Sequence, residues 1–265
     1  MGSATRDPLP GTRPEGAQTD EEAARHIRRM FSDIAGRYDL LNHLLSCNLD
    51  RLWRRRTAAA FDDILQLPDA RALDLCCGTG DLALALGRQA MHSSSPGAEI
   101  FASDFAHPML LRAAEKTRTR RGNSAEGARG IGYCEADALH LPFPDACFDL
   151  ITIAFGFRNL ANYEAGLREI LRLLHPGGSV GILEFCEPQG RFFGPLYGFY
   201  FRRVLPLIGR MFSGNESAYG YLPASVERFP GPQELCGRMR AAGFTGVEFE
   251  LWTGGAVALF RGKRG

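Results

Sequence analysis

Asp74, Gly78, Thr79, Gly80 and Asp81 stand within one stretch, ALDLCCGTGDLA from Ala72 to Ala83, and their types and spacing suit the binding of a nucleoside. Ala72, Leu73 and Leu75 interleave with Asp74 as in a short buried strand, and the glycines then turn the backbone into a helical run. Glycine lets the main chain adopt positive φ and approach a ligand closely, where a Cβ would intervene. Asp104 follows in FASDFAHPML, at the end of the next expected strand. A carboxylate about 20 residues beyond a glycine turn is placed to accept both hydroxyls of a ribose.

The kind of nucleoside turns on charge. Gly78, Gly80 and Ala83 loosely fit a dinucleotide fingerprint, which requires a pyrophosphate at the helix N-terminus. Asp81 at the mouth of that helix repels phosphate and suits a cationic ligand, such as the sulfonium and ammonium of S-adenosylmethionine. This disfavours a nicotinamide-dependent oxidoreductase. Asp81 also fits a helix cap, and its position alone leaves cap and ligand contact open.

Beyond Asp104, CEADALHLPFPDACFDLITIAFGFRNL supplies an acidic turn, a Pro-punctuated loop and an apolar strand from Phe148 to Phe155. LREILRLLHPGGSVGILEF then gives an amphipathic helix, a Pro-Gly-Gly turn and another strand. This order of parts resembles class I methyltransferases dependent on S-adenosylmethionine. The segments FSDIAGRYDLLNHLLSCNLDRLWRR, AFGFRN, SAYGYLPASVERFPGPQEL and GFTGVEFELWTGGAVALFRG resemble the ubiquinone/menaquinone biosynthesis C-methyltransferase family, over roughly residues 25 to 263.

The resemblance implies one α/β domain with a doubly wound, mostly parallel seven-stranded sheet, plus an N-terminal helix and a helical cap insertion over about 188–230. It implies S-adenosylmethionine as cofactor, held by Asp74, Gly78, Thr79, Gly80 and Asp81, with Asp104 on the ribose and Asp137 with Ala138 bordering the adenine. Two departures stand out. Ala154 occupies a position where the family more often has a serine that contacts the cofactor, and Cys76 with Cys77 replace small residues, commonly glycine at the second. A single neutral hydrogen bond contributes only about 0.5 to 1.5 kcal/mol, and cysteine behaves as a small buried hydrophobe, so neither change argues against function.

The activity implied is methyl transfer to a ring carbon of a polyprenylated quinol, either demethylmenaquinol or 2-methoxy-6-polyprenyl-1,4-benzoquinol. Loss of the neighbouring hydroxyl proton makes such a carbon nucleophilic, since the oxyanion delocalises onto the ring. Arg158 and Asn159, just beyond the strand end, are the candidates for the ring-oxygen site. Arginine stays protonated at any working pH, so Arg158 is assigned phenolate stabilisation and Asn159 orientation. The structural alternative for Arg158 is an ion pair with a carboxylate such as Glu187. His43 is the alternative base because its pKa suits neutral pH.

Thr19 and Glu22 form a capping box, and Ile27, Met30, Phe31, Ile34, Tyr38, Leu41 and Leu45 then fall at helical spacing, a stripe that packs on the domain. Its polar neighbours Asp39, Asn42 and His43, with Tyr38, are placed to close over cofactor and substrate. Tyr219 and Tyr221 are expected to line the quinol pocket. The segment RFFGPLYGFYFRRVLPLIGRMF, 191–212, is too broken by Gly and Pro and too rich in arginine to cross a membrane. It reads as a greasy lid that admits a prenyl tail and rests on the membrane surface through Arg202, Arg203 and Arg210.

Composition bounds the alternatives. Residues 1–18 are rich in Pro, Gly and charge and are expected to be disordered, without the apolar core of a secretory signal. Net charge is +1, so no overall field attracts nucleic acid, and the basic stretch 117–129 lacks aromatic residues for stacking bases and reads as a solvated loop. Seven cysteines, two of them adjacent, fit a reducing cytoplasm, and the segment 191–212 adds expected peripheral contact at the inner face of the membrane. No Cys or His pair has zinc-motif spacing, so no metal is expected. Assembly as a homodimer or in a biosynthetic complex stays open, as do a different small aromatic or lipid acceptor and a noncatalytic quinone-binding scaffold. The intact GTGD turn and Asp104 speak against the scaffold.

Overall fold

A computed structural model describes residues 11, 12, 14, 17–91, 97–121, 130–186 and 225–265. Tyr219, Tyr221, the arginines of the expected lid and most of the cap insertion lie outside the described residues. The strands are β1 (Arg71–Leu75), β2 (Glu99–Asp104), β3 (Gly132–Glu135), β4 (Phe148–Ala154), β5 (Leu174–Phe185), β6 (Phe244–Trp252) and β7 (Val257–Arg264). They form one seven-stranded sheet in the order β3-β2-β1-β4-β5-β7-β6. The first five run parallel, and β7 is antiparallel to both of its neighbours.

Helices cover both faces because the central strands are apolar on both. Leu73 and Leu75 of β1 join one core cluster with Leu167 and Ile170 of α7 (Tyr163–Leu173) and Met239 of α8 (Pro232–Ala242). Ala72, one residue out of phase, joins the other cluster with Leu82 and Leu86 of α5 (Asp81–Ala90) and Leu65 of α4 (Asp62–Leu65). The chain leaves β1 for β2 and β3 on one side and crosses to β4 on the other. The carboxyl ends of β1, β2 and β4 therefore meet at the switch point where such sheets bind ligands.

Thr19 caps α1 (Asp20–Ile34) with the expected reciprocal bond to Glu22. The apolar stripe of the N-terminal segment is not one helix. It breaks around Gly36 and resumes as α2 (Tyr38–Leu45), followed by α3 (Leu49–Ala59), because glycine is a poor helix former and a turn there folds α2 back over the sheet edge. Thr12, inside the stretch expected to be disordered, is buried and donates its N–H to Leu160 O at 2.8 Å. Residues 117–121, read as loop, complete α6 (His107–Arg121). The Pro-Gly-Gly segment is not a turn ahead of β5 but an irregularity within it, where pairing with β4 slips between Phe148 and Leu150. Gly254 and Gly255, both at positive φ, turn the chain from β6 into β7. Among the described residues no helix is long and apolar enough to cross a membrane.

Candidate functional site

The turn after β1 is built by backbone that few residues tolerate. Gly80, at φ +80°, is the N-cap of α5, and a Cβ on it would lie 3.0 Å from Ala113 Cβ. Gly78 N donates to Asp104 Oδ2 at 2.8 Å, and Ala106 N donates to Oδ1 at 2.9 Å. Asp104 thus pins the glycine turn to the end of β2 while lining a cleft of about 700 Å³. Burial pushes its carboxyl up to about 6, although its backbone donors work in the opposite direction.

The cleft is walled by Phe105, Met109, Leu139 and Ala138, with Asp137 at its edge and Ala24, Phe31 and Tyr38 of α1 and α2 above it. Asp137 Oδ1 accepts from Leu139 N at 2.9 Å. Asp104, Asp137, Ala138 and Ala154, far apart in sequence, are therefore brought to one space with Gly78. Apolar walls and an acidic floor suit a nucleoside.

A smaller compartment of about 300 Å³ adjoins it, lined by Arg54, Asp74, Thr79 and Asp81 among others. Tyr38, Cys76, Gly78 and Ala154 line both spaces. Asp74 is fully buried, with Oδ2 accepting from Ala83 N at 2.8 Å, so it also ties β1 to α5. Burial pushes its carboxyl up to about 8, and Asp104 adds to the rise. Burial likewise raises the Tyr38 hydroxyl, against the pull of Arg54 and a hydrogen bond with Asn42.

Asp81 makes no capping bond to its own helix. Its carboxylate meets Lys116 Nζ at 3.0 Å instead, and although burial opposes ionisation, Lys116 holds its pKa below the usual range. Lys116 also reaches Asp39 at 2.6 Å and Thr79 Oγ1 at 2.9 Å, while the Thr79 hydroxyl bonds Asp39. This network clamps α2 against the glycine turn.

His43 lines neither space. Its Nδ1 pairs with Asp50 Oδ2 at 2.8 Å, and its Nε2 stands 3.9 Å from Asp81. The ring expected to serve as a base is turned to these two carboxylates and not into either space. His43, Asp50 and Asp81 present ligand atoms within 4.8 Å of one another, spacing that a metal ion accepts. Both carboxylates already have cations, Arg54 on Asp50 and Lys116 on Asp81, so the charge a metal would supply is present.

At the end of β4, Asn159 lines the larger cleft and its side chain donates to Phe155 O at 3.4 Å. Arg158, the expected ring-oxygen residue, is buried and lines neither space. Its Nη1 donates to Phe155 O at 2.6 Å and to Glu184 Oε2 at 2.9 Å, and its backbone N–H donates to Glu184 Oε1 at 3.0 Å. Its carboxylate partner is thus the buried Glu184 of β5, while Glu187 lies outside the described residues. Gly156 lets this turn pass the glycine loop, because a Cβ there would sit 2.5 Å from Cys76 Cβ.

Sequence reading missed Arg54, Lys116 and Glu184. Glu184 carried a signal, a lone acid in the apolar strand GILEF. Arg54, one of four arginines in the stretch RLWRRR, and Lys116, on a polar helix, carried none.

A model of the ubiE/COQ5 methyltransferase family matches residues 18–264. A Thermus thermophilus protein named demethylmenaquinone methyltransferase is 52% identical over 89% of this chain and 100% of its own length. A Geobacter sulfurreducens ubiquinone/menaquinone biosynthesis C-methyltransferase is 42% identical over 92% and 90% respectively. Among solved structures, a SAM-dependent methyltransferase from Thermotoga maritima superposes with a TM-score of 0.60 at 18% identity, covering 91% of this chain and all of its own. The cyclase SpnF does so at 0.62 and 18%, covering 94% and 97%. At that identity the likeness is of fold alone, and a cyclase on the same fold shows that chemistry resides in the site.

Proposed function

The chain belongs to the ubiE/COQ5 methyltransferase family, and from that premise we propose that it methylates a ring carbon of a polyprenylated quinol, converting demethylmenaquinol to menaquinol. S-Adenosylmethionine is its cofactor and, when bound, supplies an electrophilic methyl group on a sulfonium. The observation that carries this reading is the divided cleft at the carboxyl ends of β1, β2 and β4. Its larger part has apolar walls and Asp104, its smaller part is polar, and the two join at Gly78 and Ala154. A nucleoside joined to a charged amino acid has the same division.

In this reading Arg158, behind the cleft lining, stabilises the ring oxyanion through its fixed positive charge and not by direct contact, and Glu184 keeps its guanidinium in place. Asn159, at the cleft wall, orients the ring. A preorganised charge in a dry site costs no reorganisation when the oxyanion forms, and holding two reactants in attack geometry supplies up to roughly 7 to 11 kcal/mol. Tyr38, with Asn42 behind it, covers the join between the two parts, and Tyr219 and Tyr221 belong to the quinol pocket by their sequence context. The segment 191–212 admits the prenyl tail and places the protein peripherally at the inner membrane face, a reading that rests on its aromatic and arginine content.

The test is transfer of labelled methyl from S-adenosylmethionine to reduced demethylmenaquinone and to the methoxy-benzoquinol, each with a short prenyl tail, read by mass spectrometry. Ring-methylated menaquinol is expected, and absence of product on both with cofactor bound would exclude the reading. Arg158→Ala is expected to slow turnover by about 100-fold or more, as loss of an oxyanion-stabilising donor does, with cofactor affinity retained.

A further inference from the structure

Large apolar side chains left in solvent are not scattered evenly over this fold. Of the eight among the described residues, four lie between positions 40 and 52: Leu40 at 61% exposed, Leu44 at 43%, Leu49 at 36% and Leu52 at 43%. A single exposed leucine needs no explanation, but a cluster of them marks a surface that something covers. Leu40 and Leu44 are one turn apart on α2, and Leu49 and Leu52 one turn apart on the start of α3.

The charge on this surface has one sign. Arg51 and Arg55 share the exposed face of α3 with Leu49 and Leu52, opposite the buried Asp50, Trp53 and Thr57. Neither arginine is paired with an acid among the described residues. Asp50 is the one acid between Leu40 and Ala60, and it is 3% exposed and turned inward to Arg54 and His43. The outer face therefore offers leucine and positive charge with no carboxylate to oppose it.

The corner between the two helices is fixed. Cys47 and Asn48 both stand at positive φ, Asn48 N donates to His43 O at 2.7 Å, and Leu49 N donates to Ser46 O at 2.9 Å. Ser46 Oγ donates to Asp50 Oδ1 at 2.7 Å, which ties the turn to α3. The leucines are thus presented on a preformed surface, and little ordering is needed when they are covered.

The core of a protein interface is enriched in aromatic residues and depleted in charge, whereas this face carries leucines and arginines. Leucine enters the acyl boundary of a bilayer, and arginine lays its stem along apolar surface while its head stays with anionic phosphates. We infer that the α2–α3 corner docks on an anionic lipid surface, with Leu40, Leu44, Leu49 and Leu52 inserted and Arg51 and Arg55 on the headgroups. The same α2 turns Tyr38 into the cleft and Asp39 to Lys116, so docking sets one wall of the site against the bilayer. A prenylated substrate is delivered from that side, a consequence that rests on the quinol reading, while the docking itself rests on exposure and charge. This surface is separate from the segment 191–212.

The experiment is flotation of the full chain with vesicles of phosphatidylglycerol and phosphatidylcholine, against phosphatidylcholine alone and against the anionic vesicles at high salt. The wild type is expected to float with the anionic vesicles, less with the neutral ones, and less at high salt. Leu44→Glu with Leu52→Glu, and separately Arg51→Glu with Arg55→Glu, should each weaken partitioning by at least about tenfold. All four positions are exposed, so S-adenosylhomocysteine affinity and turnover of a short-tail quinol in solution should be unchanged. Either pair decides should the other fail to fold. A wild type that stays with neither vesicle overturns the proposal, as it would if a protein or a second copy covered the face. Variants that float like the wild type overturn it too, since the contact would then lie elsewhere, in 191–212 among other places. Flotation needs no quinol, and short-tail turnover needs no membrane, so this inference and the quinol reading fail separately.

Discussion

Glu184→Ala is the most informative perturbation of the frame around the site. Glu184 is fully buried on β5 and accepts three hydrogen bonds: from Arg158 N at 3.0 Å, Arg158 Nη1 at 2.9 Å and Phe185 N at 3.1 Å. Alanine removes all three and takes the Glu184 carboxylate away from a guanidinium whose residue is itself 6% exposed. Arg158 keeps its bonds to Phe155 O and Ser225 Oγ, and neither acceptor is charged. Breaking a buried pair from one side costs about 3 to 5 kcal/mol, because the remaining charge is uncompensated. For a chain of this size that corresponds to a fall in melting temperature of roughly 6 to 20 °C. The assay is scanning calorimetry at one scan rate for wild type, Glu184→Ala, Arg158→Met and the double variant. Removing both charges should recover most of the stability lost in Glu184→Ala, since the penalty belongs to the orphaned ion. A Glu184→Ala protein within about 1 kcal/mol of wild type, or a double variant no better than the single one, would refute the reasoning.

Asp104→Ala should weaken S-adenosylhomocysteine by about 1.5 to 3 kcal/mol in calorimetry, the worth of a charged acceptor on the ribose. Unchanged affinity would remove Asp104 from the binding site. Asp74 makes stability fall as pH rises, because its carboxyl, at about 8 in the fold against an ordinary 3.8, keeps a proton that the unfolded chain has already released. Asp104 contributes in the same sense only up to about 6, so above that pH the slope belongs to Asp74. Asp74→Asn should therefore flatten the decline in urea stability between about pH 6 and about pH 8, where wild type loses up to about 1.4 kcal/mol per unit.

The parts legible in sequence were those fixed by neighbours in the chain. Thr19 and Glu22 are three residues apart, and their capping box follows from that spacing alone. The glycine turn and Asp104 could be read because positive φ and a strand-end acid have few other uses. Arg54 and Glu184 act through partners or spaces that only the fold assembles: Glu184 meets Arg158 from a neighbouring strand, and Arg54 enters the site because α3 packs on α5. Residue type also hides double duty. Asp74 was read for a ligand and does line the smaller compartment, yet one of its oxygens is spent on Ala83 N. The break between α1 and α2 was invisible for a related reason, since helical spacing of apolar residues continues across it while the backbone does not.

The electrostatics explain why Ala154 is tolerated. Asp74, Asp81 and Asp104 converge on the turn from Cys76 to Asp81, and only Asp81 has an ammonium beside it. Asp74 and Asp104 are raised toward neutrality by burial, a cost that apolar residues in their places would avoid. A fold that retains such groups gives up stability at a site for something the site does. A cationic ligand relieves that cost, because its charge favours the ionised carboxyls that burial opposes, and relief of this kind appears in binding. Against charged contacts each worth about 1.5 to 3 kcal/mol, the neutral hydrogen bond that a serine at Ala154 would add, about 0.5 to 1.5 kcal/mol, is the smaller term. On the proposed reading, affinity is carried by the charges, and position 154 is free to hold a residue that only shapes the join between the two compartments.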